Sequence, residues 1–250
     1  MKARALFVDY DGTIAPLGVP RAESRVIGRV ARELRRIVRE TPVCVVTAKD
    51  FDFIHGRCRF ATGWACAAGL DIRLADGRSL RPPRLRNLDG ALEIAKSARR
   101  RGTLTELKLG PAGELLGVTI DWSHAPGSEA YVAGELRLLR RKGYPVVYDT
   151  KSAFADVYAA PPDKGKALRE MKKLLGVESD AMFIGDSILD NSAFLEAEMA
   201  IGVGHGQPLS GLRCDYIVEQ RRLAGFLRSL HDRGMEFTPR PPWLRPQGEK

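Results

Sequence analysis

Apolar positions along the chain switch period repeatedly, and each switch predicts an element. Arg4-Ala-Leu-Phe-Val-Asp9 is a short apolar run closed by a carboxylate, which predicts a buried strand. Beyond a loop bounded by Pro16 and Pro20, residues Val26, Ile27, Val30, Leu34, Ile37 and Val38 recur at helical spacing and predict a helix over 22–40. Its arginines fall largely between those positions, as on a solvated face. Pro42–Thr47 predicts a second buried strand that ends in a hydroxyl, and Trp64–Ala68 a third. Asp71–Leu74 and Ser79–Leu80 predict hairpin arms around Ala75-Asp-Gly-Arg78, where Asp-Gly supplies positive φ. Strands alternating with helices imply a parallel sheet covered on both faces.

The rhythm then changes between two proline pairs, Arg81-Pro-Pro-Arg84 and Ala160-Pro-Pro-Asp163. Neither pair can continue a helix or a central strand, so both predict crossings between domains. Between them the pattern predicts helix 89–101, strands near 103–109 and 114–121, helix 128–142, and strands near 144–149 and 153–158. Pro111-Ala-Gly113 and Thr150-Lys-Ser152 would be the hairpin turns. Two helix-plus-hairpin units make a small α+β module inserted into an α/β core. The α/β rhythm returns with an amphipathic helix 164–175 that stops at Gly176, and a strand Ala181–Ile184 running into Gly185-Asp186. A helix near 190–198, strands near 199–203 and 215–218, and a helix 220–231 follow. The expected organisation is a core of residues 1–82 and 159–235, an insert of 83–158, and a proline-rich, flexible or surface-bound tail of 236–250.

Composition narrows the function classes. The 250 residues are 44% hydrophobic and 28% charged, which excludes global disorder. Forty basic against thirty-one acidic residues leave a net charge of +9, favouring an anionic substrate or a polyanion contact. Cys44, Cys58, Cys66 and Cys214 form no CxxC pair or metal-ligand spacing and read as buried free thiols. The first apolar run is too short for a signal-peptide core, and no stretch has the length of a membrane span. The chain is therefore expected to be cytoplasmic, with a monomer favoured.

The chemistry concentrates at strand ends. Asp9-Tyr-Asp11-Gly-Thr13 places two carboxylates two residues apart after a buried strand, an electrostatically costly arrangement that a hard cation such as Mg²⁺ would relieve. Gly12 and Thr13 permit a tight turn whose amides would face an anion. Thr47 ends the second strand at the same sheet edge, where ligands of open α/β sheets bind, and would donate to phosphate unless it only caps a helix. Lys164 opens a helix, where the dipole disfavours it; reaching a phosphate would explain it, and solvent exposure is the alternative. In Gly185-Asp186-Ser-Ile-Leu-Asp190-Asn191, Asp186 would complete a metal site. Asp190 would be an outer or water-mediated ligand, a helix cap, or both.

Taken in order, DxDGT, strand-Thr, helix-Lys and GDxxxD resemble the haloacid-dehalogenase superfamily of phosphohydrolases, and the insert resembles its C2B cap. The resemblance implies Mg²⁺, an Asp9 nucleophile, an Asp11 acid/base whose backbone carbonyl also ligates the metal, Thr47 and Lys164 on phosphate, and Asp186 on the metal. Asp9-Tyr-Asp-Gly-Thr-Ile-Ala-Pro16, Gly69-Leu-Asp71 and Phe194 further resemble trehalose-6-phosphate phosphatases, implying a small sugar phosphate as substrate. Asp156 stands where that family has a cap glutamate contacting sugar hydroxyls, and Lys108 is a second cap candidate. Thr47-Ala-Lys49, Ala67-Ala68, Tyr158 and Ser187 depart from the pattern; the first also resembles mannosyl-3-phosphoglycerate phosphatases. A phosphosugar mutase would use the same site. A nucleic-acid-binding protein would use the charge, but the chain lacks an aromatic stacking stripe or zinc pattern.

Overall fold

In the computed structural model, residues 1–81, 84–148, 153–206, 211–238 and 244–246 are described. The chain divides into two compact units, one comprising 1–48, 52–80 and 163–250 and the other 49–51 and 81–162. The first unit runs β1 (Ala5–Val8), α1 (Gly28–Ile37), β2 (Val43–Val46), α2 (Phe51–Arg57), β3 (Gly63–Cys66), β4 (Asp71–Leu74) and β5 (Ser79–Leu80). The second supplies α3 (Asp89–Arg99), β6 (Leu104–Leu109), β7 (Leu115–Asp121), α4 (Glu129–Arg141), β8 (Val146–Tyr148) and β9 (Phe154–Tyr158). The chain then returns to the first with α5 (Lys164–Leu175), β10 (Ala181–Gly185), α6 (Asn191–Glu196), β11 (Met199–Gly204), β12 (Tyr216–Glu219), α7 (Leu223–Asp232) and β13 (Leu244–Pro246).

The first unit is an α/β layer structure. Its sheet has the order β13-β12-β11-β10-β1-β2-β3-β4-β5, parallel from β12 to β3 and antiparallel at both margins. Both faces of the central strands are buried, as parallel sheets require. Ala5, Phe7, Cys44, Val46 and Phe183 pack with Leu168, Met171 and Phe194, while α1 and α7 pair with each other in the same unit. Strand order reverses at β1 and β10, which register Val8 against Ile184, so the carboxyl ends of these two strands lie side by side. In open α/β sheets such a reversal opens a crevice for ligands.

The second unit is a four-stranded antiparallel sheet in the order β6-β7-β9-β8. Val118, Ile120, Ala155 and Val157 bury one face against Ala91, Ala95, Val132 and Leu136 of α3 and α4. Cross-strand register puts Lys108, Gly117 and Tyr158 in one row and Thr119 opposite Asp156 in the next, away from those apolar residues.

Several elements differ from the sequence expectation. The helix expected over 22–40 begins only at Gly28, because side chains take the carbonyls a first turn would have used. Arg25 donates to the carbonyls of Ala22 and Ser24, and Arg57 to those of Ser24 and Arg21. The third strand stops at Cys66, since Ala67 and Ala68 turn left-handed. The helix expected over 190–198 is a 3₁₀ turn, Ile188–Asp190, continued by α6 to Glu196. Helix α2 was not expected at all. In the tail, Phe237 is buried beside Tyr216, and Leu244–Pro246 pair with β12, covering an otherwise open strand edge. The Thr150-Lys-Ser152 turn and Pro82-Pro83 lie outside the described residues. All four cysteines are free and buried, and burial pushes the Cys58 thiol up to about 12.

Candidate active site

One polar residue follows each of five adjacent parallel strands: Gln220 after β12, His205 after β11, Asp186 after β10, Asp9 after β1 and Thr47 after β2. β11, β10, β1 and β2 are apolar because both faces are covered, so the first polar residue of each emerges at one edge of the sheet, whereas β12 already ends on Glu219. Asp9 is 5% exposed and its amide donates to the carbonyl of Ile184, locking the end of β1 to β10.

Asp9, Asp186 and Asp190 bring carboxylate oxygens within 4.8 Å of one another. Lys164, the first residue of α5, is buried among them. Its Nζ donates to Asp9 Oδ1 at 2.7 Å and to Asp190 Oδ1 at 2.6 Å. Asp163 caps α5 through the amides of Gly165 and Lys166. Gly165 lets the helix start approach α6, since a Cβ there would meet the Ser192 carbonyl. Burial works against the Lys164 ammonium, yet Asp190 and Asp9 outweigh it and hold the side chain charged, above the usual lysine range. Burial raises the Asp9 carboxyl well above the carboxylate range; Lys164 opposes that rise, and Asp190 and Asp186 add to it. Asp186 is raised for the same leading reason, with His205 opposing.

The Asp9–Ala15 segment folds into a tight turn in which the amides of Thr13, Ile14 and Ala15 all point at the Tyr10 carbonyl, at 3.3, 3.1 and 2.9 Å. The Thr13 amide, expected to face an anion, is therefore turned toward the backbone. Its hydroxyl instead donates to Asp186 Oδ1 at 3.2 Å. Gly12 adopts φ of +73°, and a Cβ there would collide with Asp186 Oδ2, so glycine is needed both for the turn and for the close approach of the carboxylate. Asp11 is half-buried on this turn.

Asp190 is 0% exposed and both its oxygens are taken. Oδ1 accepts from Lys164, and Oδ2 accepts from the amides of Asp186 and Ser187 and from the Ser187 hydroxyl. Asp190 thus orients Lys164 and closes the capping turn that carries Asp186. Thr47 is buried at the same sheet edge, its amide on the Ala65 carbonyl and its carbonyl on the Ala68 amide. His205 and Gln220 carried no motif and were missed. The only available signal for His205 was Gly204-His-Gly206 closing an apolar strand.

Whether a divalent cation fits can be judged from charge and donor chemistry. Three buried carboxylates face one ammonium, and the donors are oxygens of the hard type that Mg²⁺ prefers. Asp9, Asp186 and Asp190 each offer an oxygen to such an ion, and Asp190 also partners Lys164.

In the second unit, Lys108 and Asp156 are both buried and 3.2 Å apart. Thr119 donates to Asp156 Oδ1 at 2.5 Å and Tyr158 to Oδ2 at 2.9 Å. Burial, followed by Asp156, raises the Tyr158 phenol well above its ordinary value, so it remains a donor.

The parallel sheet with an Asp at the strand-order reversal, together with a separate antiparallel sheet, is similar in fold to solved structures described as haloacid dehalogenase-like. The C-terminal domain of trehalose-6-phosphate phosphatase from C. albicans matches with a TM-score of 0.74 at 15% identity, over 92% of this chain and 93% of that one. A trehalose-6-phosphate phosphatase related protein matches at 0.67 and 18% identity, over 92% and 98%. A sugar phosphatase of subclass IIB of that superfamily matches at 0.66 and 14% identity, over 94% and 100%. Two curated proteins from Mycobacterium tuberculosis strains CDC 1551 and H37Rv, each described as an uncharacterized glycosyl hydrolase, are 26% identical over 238 residues, covering 86% of this chain. The chain spans 18% of their length. No protein-family model matches the chain.

Proposed function

We propose that the chain is a Mg²⁺-dependent phosphatase that hydrolyses a sugar phosphate monoester through an aspartyl-phosphate on Asp9. The observation that carries this reading is the Lys164 ammonium, 2.7 Å from Asp9 and 2.6 Å from Asp190 at the strand-order reversal. A carboxylate attacking a phosphate dianion meets repulsion, and a fixed buried cation beside the nucleophile offsets it. Lys164 is held charged, so it serves as that cation and not as a proton donor.

An Asp9 oxygen forms a bond to phosphorus as the bond to the sugar oxygen breaks. Asp11, half-buried on the adjacent turn, gives its proton to the departing sugar oxygen. Asp11 then takes a proton from water, whose oxygen attacks phosphorus and releases Asp9 and inorganic phosphate. Asp9, Asp186 and the Asp11 backbone carbonyl would hold Mg²⁺, whose contribution is to neutralise phosphoryl charge. Thr47 and the Gly12 turn are the proposed phosphate contacts, and Lys108 and Asp156 the candidates for sugar hydroxyls. The phosphatase names of the structural neighbours support the substrate class, and a sugar-directed name recurs in the mycobacterial relatives.

Phosphate release from trehalose-6-phosphate, sucrose-6-phosphate, mannosyl-3-phosphoglycerate and hexose phosphates, with and without Mg²⁺, tests the proposal. Mg²⁺-dependent release from one or more of them is expected. An isomerised sugar phosphate without phosphate release would identify a mutase instead, and no turnover of any ester would overturn the enzyme reading.

A further inference from the structure

We propose that His205 is a positioning residue that fastens the Asp186 carboxylate to the Gly12 turn and thereby sets how tightly the divalent cation is held. The inference rests on the metal reading of the site above. Asp186 is gripped from two sides. Thr13 Oγ1 donates to Oδ1 at 3.2 Å, and His205 Nε2 lies 3.4 Å from Oδ2. The Gly12 carbonyl also acts on the His205 ring, so the imidazole stands between the residue after β10 and the loop after β1. Gln220, from the neighbouring strand end, donates to the same Gly12 carbonyl at 2.9 Å and to that of Ala15 at 3.0 Å, fixing the loop against which Asp186 is drawn.

The physical need for such a tether lies in the neighbouring charges. Asp190 repels the Asp186 carboxylate, and Asp9 and Asp186 repel each other, while Lys164 attracts Asp186 but, among the described residues, donates its hydrogen bonds to Asp9 and Asp190. Without an opposing donor, the preferred rotamer of Asp186 in the metal-free protein would turn away from the other two carboxylates. Each carboxylate oxygen has two lone pairs, so Thr13 and His205 can take one on each oxygen and leave the others for a cation. Outer donors of this kind fix ligand orientation before the metal arrives, and removing one typically weakens metal binding by about 10–100-fold. His205 is partly exposed, with 27% of its side chain accessible, so its replacement leaves the buried core intact.

Calorimetric titration of the full chain with MgCl₂ tests the role, comparing wild type with His205→Ala, His205→Phe and His205→Gln. His205→Ala and His205→Phe are expected to weaken Mg²⁺ binding by about 10–100-fold, and His205→Gln, which keeps an N–H donor, to stay within about threefold of wild type. Thermal melts without metal establish that each variant is folded, and the apolar His205→Phe carries the test should His205→Ala melt early. Unchanged or tighter Mg²⁺ binding in the two donor-free variants overturns the inference, as does a His205→Gln variant as weak as His205→Ala. A wild type that binds no Mg²⁺ overturns the underlying metal reading, an outcome distinct from either of these.

Discussion

Lys164 Nζ lies 2.7 Å from Asp9 Oδ1, although the two residues are 155 positions apart in the chain. One ends the first strand and the other begins the helix entered after the whole second unit has been traversed. The same ammonium holds Asp190 at 2.6 Å, so a single positive charge joins three separate stretches of chain at the edge of one sheet.

Under the proposed function, that position makes Lys164 both a catalytic and a structural residue. Lys164→Met should lower turnover by about 10²–10³-fold, through loss of a preorganised charge. It also leaves two buried carboxylates without their counter-ion, at a cost of roughly 3–5 kcal/mol, or a fall in Tm of about 6–20 °C. Adding Asp190→Asn should recover part of the stability and none of the activity, because it removes one of the orphaned charges. Thermal melts and steady-state rates on the four combinations check this. A Lys164→Met melt equal to wild type would contradict it.

Stability should respond to pH through Glu33. Its Oε1 accepts from Arg228 at 3.0 Å and its Oε2 from Arg36 at 2.9 Å, joining α1 to α7. Burial works against the carboxylate most strongly, yet the two arginines outweigh it and hold the carboxyl below the usual glutamate range. A folded-state value below the unfolded one means stability that is fully present above an unfolded pKa of about 4.3 and lost as pH falls through the folded value. Glu33→Gln should therefore lower Tm at pH 7, and its gap from wild type should narrow as pH falls below about 4. A gap that stays constant with pH would contradict the linkage.

Two alanines in succession, Ala67 and Ala68, adopt φ of 47° and 53° immediately after β3. Left-handed backbone costs a non-glycine residue roughly 1–2 kcal/mol. The turn is kept because the Ala68 amide bonds the Thr47 carbonyl and the Ala68 carbonyl accepts from the Asp163 amide, fixing the strand end before Thr47 and the approach to Lys164. Ala68→Gly relieves the strain but loosens the unfolded chain, and the balance should raise Tm by about 1–4 °C. A lowered Tm in calorimetry would show that the strain is absent.

The core of the site was legible because burial and polarity meet abruptly in this sequence. Leu6-Phe-Val-Asp9 and Met182-Phe-Ile-Gly-Asp186 each run from apolar to acidic within a few residues, and a parallel sheet delivers both to one edge. Partnerships across the sheet were not legible. Nothing near Gln220 signals that its amide reaches the carbonyls of Gly12 and Ala15, which lie more than 200 positions away. Asp190 was recognisable as important, but its bonds to Lys164 and the Ser187 turn depend on a capping geometry that spacing alone leaves open. The helix expected from residue 22 failed for a related reason. Apolar spacing does not show that Arg25 and Arg57 will take the carbonyls of its first turn. Helix α2 offers only seven residues with a glycine near its end, too few to establish a period.

Covalent capture of the phosphoryl group tests the proposed chemistry most directly. The wild-type chain is mixed with Mg²⁺ and trehalose-6-phosphate, or with another ester from the screen that releases phosphate, quenched in acid within one turnover, digested and analysed by mass spectrometry. One phosphoryl group on the peptide carrying Asp9 is predicted, together with its absence in Asp9→Asn and a turnover about 10⁴-fold below wild type in that variant. Phosphate release that continues at a near-normal rate in Asp9→Asn, or a phosphoryl group found on another residue, would contradict Asp9 as the nucleophile.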